Sequence, residues 1–256
     1  MLRVQGLVKH FGGIHAVDGV SFALAPGECV ALIGPNGAGK STCFACIAGQ
    51  YALTGGEVSW NGQALQGLSP AARLRQGVAR TFQVAQVFEA LTVLQNVQLA
   101  IEARRAEMAI SAFKTLDRQS VDAAMALLVR TGLLESARSE VASLAYGEKK
   151  RLELAIALAA APTLLLLDEP AAGLAEAERA SLMQLVKALA GQGMAVLYTE
   201  HNMDAVAGVA DRVLVLIEGR LAAQGTFADI ARDAEVRRLY LGDLGDSLDT
   251  VGAAHA

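Results

Sequence analysis

The chain has 256 residues, with 22 Lys and Arg against 26 Asp and Glu, a formal net charge of −4 and no dense basic run. The phosphate-backbone footprint of a nucleic-acid binder is therefore missing. Hydrophobic residues make up 53% and the mean hydropathy is +0.36, yet the longest apolar run, Leu154 to Leu167, is shorter than the roughly 20 residues of a bilayer span and contains Pro162.

In chain order, short apolar runs read as strands: "LRVQGLV", "CVALIG", "GEVSW", "GVARTF", "TLLLLD", "MAVLYT" and "RVLVLIEG". Helical stretches separate many of them, which predicts an α/β fold with a partly parallel sheet. The early runs are closer together and include the turn signal Asn61-Gly62, so an antiparallel β subdomain is expected near the N-terminus. Between about residues 88 and 161 the strand pattern lapses. There "VLQNVQLAIEARR" and "VDAAMALLVRTG" have helical spacing, predicting an inserted helical subdomain. The run from Leu154 reads as a buried helix end followed by a buried strand. The polar tail, 242–256, stands outside the predicted core.

No apolar stretch of signal-peptide length follows Met1, so a cytoplasmic location is expected. The three cysteines, Cys29, Cys43 and Cys46, suit a reducing compartment. Cys43 and Cys46 have redox or metal-pair spacing, but they fall in a predicted helix with no second ligand pair nearby. They read as small buried hydrophobes.

"CVALIGPNGAGKST" carries the strongest chemical signal: an apolar strand, then Gly34-x-x-x-x-Gly39-Lys40-Ser41, then a helix. This is the phosphate-binding P-loop in its strand–loop–helix context. Its glycines allow tight turns, so that successive N–H groups converge on phosphate oxygens at a helix N-terminus. Lys40 is expected to reach the β- and γ-phosphates, and Ser41 to ligate Mg²⁺. "TLLLLDEP" would carry Asp168 and Glu169 to a strand's carboxyl end, where open α/β sheets place ligands. Such an acidic pair is common by itself. Behind a P-loop, Asp168 is expected to hold Mg²⁺ and Glu169 to polarise the attacking water. "YTEHNM" delivers His201 to the same edge as a γ-phosphate contact, and Gln83 in "RTFQ" is placed to sense the metal and water.

"SLAYGEKK" sets a glycine turn before another helix, whose unpaired N–H groups form a second anion site. One helix N-terminus already serves the P-loop, so the economical expectation is a second chain whose "LAYGE" closes over the first chain's nucleotide.

Taken together, these residues resemble the ATP-binding subunits of ABC transporters over nearly the whole chain, from about Leu2 to Leu241, as a P-loop ATPase core. "GPNGAGKST" looks like Walker A, "TFQ" the glutamine loop, "LAYGE" the signature, "LLLLDEP" Walker B, "AAGLA" the D-loop and "EHN" the histidine switch. The resemblance implies a nucleotide site made of Gly34, Pro35, Asn36, Gly37, Ala38, Gly39, Lys40, Ser41 and Thr42, with Phe11 stacked on adenine. It implies that Leu144, Ala145, Tyr146, Gly147 and Glu148 act across a dimer interface. Glu169, His201 and Gln83 would be catalytic, and Ser41, Gln83 and Asp168 the metal residues. ATP and Mg²⁺ are the implied ligands. The implied partners are a second ATPase subunit, identical or related, two transmembrane permease subunits that would hold this chain at the inner face of the membrane, and indirectly an external solute-binding protein. Val84, Val87, Phe88 and Leu91 fall where the resemblance places a permease-docking groove; the alternative is that they pack the core of the helical subdomain. Finer similarity is to importers of branched-chain amino acids and amides.

Two positions depart from the wider pattern: Ala145 replaces the signature serine, although the branched-chain branch commonly has alanine there, and Ala175 replaces the Asn or Asp that ends the D-loop. A soluble ABC ATPase acting on ribosomes or DNA would be expected to carry tandem cassettes or long coiled-coil insertions, which the sequence lacks. A non-hydrolysing scaffold is opposed by Glu169. A P-loop kinase leaves "LAYGE" and His201 unexplained.

Overall fold

The computed structural model describes residues 1–81, 87–108 and 118–241. Their elements run β1 (Leu2–Phe11), β2 (Ile14–Leu24), β3 (Cys29–Ile33), α1 (Lys40–Ala48), β4 (Gly55–Trp60), β5 (Gln63–Ala64), α2 (Pro70–Arg75) and β6 (Val78–Arg80). Helices α3 (Val93–Met108), α4 (Arg118–Thr131) and α5 (Tyr146–Ala159) follow. The chain then alternates through β7 (Leu164–Asp168), α6 (Glu176–Gly191), β8 (Ala195–Thr199), α7 (Met203–Ala207), β9 (Arg212–Ile217), β10 (Arg220–Gly225) and α8 (Phe227–Arg232).

Two sheets result. A six-stranded sheet has the order β10-β9-β3-β8-β7-β6, with β10 antiparallel to β9 and its other pairs parallel. Every residue of β3, β7 and β8 is buried, because both faces are covered. Val30, Leu32, Leu164, Leu166 and Leu197 join Phe44 and Ile47 of α1 in one core layer. The alternate residues Ala31, Ile33, Leu165, Leu167, Val196 and Tyr198 join Leu182 and Val186 of α6 in another. Continuous apolar runs, rather than alternation, are what that two-sided burial requires.

The second sheet is antiparallel, with the order β2-β1-β4-β5. Asn61 and Gly62, at φ 49° and 81°, make the β4–β5 hairpin turn, in which a two-residue loop takes positive φ at both positions. Strands β2 and β10 are absent from the apolar runs in the sequence, for physical reasons. The buried residues of β2, Val17, Val20, Phe22 and Leu24, lose strict alternation where its pairing with β1 shifts register. Strand β10, "RLAAQG", is a half-exposed edge with little apolar content.

Helices α3, α4 and α5 enclose a third core of Val93, Val97, Leu128, Leu133 and Leu152. Helix α5 stops at Ala159 and β7 starts at Leu164, with Ala161 at φ 47° just before Pro162. Cys29, Cys43 and Cys46 are buried free thiols. Burial pushes Cys29 and Cys43 up to about 12 and Cys46 up to about 11, which keeps them protonated and inert.

Candidate functional site

Strand β3 ends at Ile33, and the chain turns through residues 34–39 before α1 begins at Lys40. Gly34 sits at φ 147°, where a Cβ would lie 2.0 Å from the Leu216 carbonyl oxygen, and Gly39 at φ 95°, where it would lie 2.2 Å from the Ala16 oxygen. The loop is thus threaded between β9 and β2 with space for glycine alone. Gly39 offers α1 no side-chain cap, and the first turn holds no acidic residue, so that helix start suits an anion. The Lys40 Nζ donates to the Gly34 oxygen at 2.7 Å and the Pro35 oxygen at 3.0 Å, so the loop curls around its own ammonium. Burial lowers the Lys40 pKa from the usual lysine value, while Glu169 and Asp168 pull it back.

A cleft of about 380 Å³ opens over this loop. Asn36, Gly37, Ala38, Gly39, Lys40, Ser41 and Thr42 form one wall; Ile14, His15, Ala16, Glu169, Glu218 and Gly219 complete it.

The acidic pair stands at the carboxyl end of β7, fixed mainly by Thr199 at the end of β8. The Thr199 hydroxyl donates to Asp168 Oδ1 at 2.8 Å and accepts from the Glu169 amide at 2.9 Å. Arg80, at the end of β6, donates to Asp168 Oδ2 at 2.7 Å. Glu169 takes φ 48°, a left-handed conformation unfavourable for a side-chain-bearing residue. Its Oε1 lies 2.8 Å from His201 Nε2. Buried Glu200 accepts from the amides of Ala171 and His201, both at 3.2 Å. Desolvation raises its pKa, with these amides opposing the rise.

Lys40, Ser41 and Glu169 therefore meet at one cleft, with His201 bonded to Glu169 and Asp168 fixed behind it. Phe11 does not line that cleft. It is 42% exposed, with Tyr51 edge-on at 5.2 Å and Lys9 Nζ 4.8 Å above its ring. Leu144, Ala145, Tyr146, Gly147 and Glu148 do not line it either. Ala145 is the N-cap of α5, at φ −61° and ψ 156°, and its amide donates to Glu148 Oε2 at 3.1 Å. Tyr146 is 53% exposed, and a Cβ on Gly147 would meet Glu178 Oε1 at 2.8 Å. Gln83 and Val84 lie outside the described residues. Val87 packs half-buried against the helical core, Leu91 is half-buried, and Phe88 is 63% exposed.

Sequence reasoning missed Arg80, Thr199 and Glu200. Each is a polar residue at or just beyond a strand's carboxyl end, and each is buried or nearly so. That position was the available signal, because a buried polar group needs a partner. Which partner it finds depends on strand order.

A profile of the ABC transporter family matches residues 17–172. The chain is 40% identical over 250 residues, 95% of its length and 98% of the relative's, to the high-affinity branched-chain amino acid transport ATP-binding protein LivG of Escherichia coli (strain K12). The ADP conformation of an ATP-binding cassette of an ABC transporter has TM-score 0.83 and 29% identity, covering 94% of this chain and 98% of that one. A bacterial ABC transporter cassette described as dimeric has TM-score 0.77 and 25% identity, covering 89% and 99%. The strand–loop–helix cradle, the order of the motifs and these likenesses agree: the chain belongs to the ABC transporter family, as an ATP-binding, ATP-hydrolysing subunit.

Proposed function

We propose that this subunit powers an importer of branched-chain amino acids or related amides, working as a dimer of ATPase chains against two membrane permeases. The observation that carries the catalytic part is the Glu169–His201 pair, 2.8 Å apart at the rim of the P-loop cleft. Lys40 and the loop amides bind the triphosphate, and Glu169 accepts the proton of the attacking water. His201 orients the Glu169 carboxylate and contacts the terminal phosphate. Phe11 carries the adenine face.

The donors fit a hard divalent cation: the Ser41 hydroxyl and the Asp168 carboxylate at the end of β7 offer oxygens. Mg²⁺, when bound, neutralises charge on the phosphate oxygens. Thr199 and Arg80 each bond one Asp168 oxygen and so fix the carboxylate that, with the Ser41 hydroxyl, would hold the metal. Gln83 belongs to the same proposal.

Ala145 and Tyr146, exposed at the start of α5 and away from their own chain's cleft, support a site completed by Leu144 to Glu148 of a second copy or a related chain. Closure on ATP and opening after hydrolysis would then drive the permeases. Ala145 and Ala175 bring fewer polar groups to that seam. Phe88 is the exposed anchor for a permease. The substrate class follows LivG, a branched-chain amino acid transport protein by name. Among the described residues no helix is long and apolar enough to cross a membrane, so the proposed location, the inner membrane face, depends on the permeases.

The test is Glu169→Gln. Phosphate release should nearly cease while ATP still binds and holds a closed dimer; turnover within a few-fold of wild type refutes the role of Glu169. Co-purification from membranes, with identification of the accompanying chains, tests the permease partners separately.

A further inference from the structure

We propose that His10, His15 and Asp18 form a site for a borderline transition-metal dication of the zinc class, on the antiparallel sheet beside the nucleotide cleft. Their ligand atoms all lie within 4.8 Å of one another, the one such group of three among the described residues. The sequence does not advertise it, since residues 15 and 18 of a regular strand face opposite sides. A bulge changes that. Lys9 pairs with Val17 and His10 with His15, which leaves Ala16 as an extra residue in β2. The extra residue restores a common face to His15 and Asp18, and His10 stands directly opposite.

The two imidazoles sit with ring centroids 3.8 Å apart. His10 Nε2 is buried and has no hydrogen-bond partner among the described residues, which is unfavourable unless a ligand takes up its lone pair or proton. Asp18 is anchored but not used up: Arg220 Nε and Nη2 both donate to Oδ2, at 3.0 and 2.7 Å, and among the described residues Oδ1 accepts no bond. Two imidazoles and a carboxylate form a donor set suited to zinc, with a fourth position left for water. Ligand atoms of a tetrahedral zinc site lie about 3.3 Å apart, so binding would draw a group already within 4.8 Å closer together. Mg²⁺ prefers six oxygens in octahedral array and does not compete well here. His15 also lines the cleft, and the Ala16 oxygen backs Gly39, so the bound ion would stiffen the wall behind the P-loop.

The test is calorimetric titration of the nucleotide-free full chain with Zn²⁺ in excess Mg²⁺. A His201→Ala background removes the Glu169–His201 pair as a competing ligand. One saturable equivalent is expected, weakened about tenfold or more by His15→Ala and by Asp18→Asn, a loss of the scale seen even for groups that merely support a ligand. Thermal melts without zinc check that both variants are folded, and His15 is exposed enough to be replaced. Absence of saturable binding in the parent, or parental affinity in both variants, overturns the proposal.

Discussion

Replacing Thr199 by valine keeps the shape of a side chain that is 1% exposed and deletes one hydroxyl. That hydroxyl holds Asp168 Oδ1 at 2.8 Å and the Glu169 amide at 2.9 Å. A hydrogen bond to a charged group contributes about 1.5–3 kcal/mol, and a buried amide left unsatisfied costs about 1–3 kcal/mol. The valine methyl returns roughly 0.8 kcal/mol. The expected net loss is therefore about 2–5 kcal/mol, a fall of about 4–20 °C in melting temperature for a chain of this size. The kinetic effect follows from geometry. Glu169 is held at φ 48°, and freeing its amide lets the backbone relax and displaces the carboxylate. A displacement of about 1 Å at a reacting group costs on the order of 100-fold in rate. Nucleotide affinity should stay within a few-fold, because the recorded Thr199 hydroxyl bonds run to Asp168 and Glu169, not to Lys40 or the loop. Urea unfolding, phosphate release and binding of a fluorescent nucleotide measure the three quantities, with Thr199→Ser as the control that keeps the hydroxyl. Wild-type stability and turnover in Thr199→Val would refute the reasoning.

Gly39→Ala should weaken nucleotide binding by tenfold or more, because its Cβ would meet the Ala16 oxygen at 2.2 Å, whereas Gly37→Ala meets nothing within 4 Å and should bear only the conformational cost of about 1 kcal/mol; equal affinities for the two variants would contradict this. Ala145→Ser should raise monomer stability by about 0.5–2 kcal/mol as a new N-cap of α5 and should separately tighten ATP-driven dimer closure; if unfolding midpoint and closure are both unchanged, neither effect exists. Burial raises the Glu200 pKa from 4.5, so its favourable contribution is complete below that value and is lost as pH rises through the folded pKa. Glu200→Gln cannot ionise, and its urea midpoint should gain on wild type as pH rises from 4.5 toward neutrality; parallel pH profiles would show that Glu200 does not titrate in this way.

What the sequence determined by itself was the local chemistry. The P-loop could be read because its constraint is local: glycines beside a strand end and a helix start are needed wherever a backbone must wrap an anion. Strands β3, β7 and β8 could be read because burial on both faces demands unbroken apolar runs. The tertiary structure decided which distant residues meet. Asp168 finds Thr199 and Arg80 only because β8 and β6 flank β7, and strand order leaves no local trace in the chain. Strand β2 stayed hidden for a related reason. Its register shifts break the period of two, and the same irregularity brings His15 round to Asp18. Alternation is a property of a regular ladder, so where the ladder is interrupted only the folded pairing says which side chains share a face.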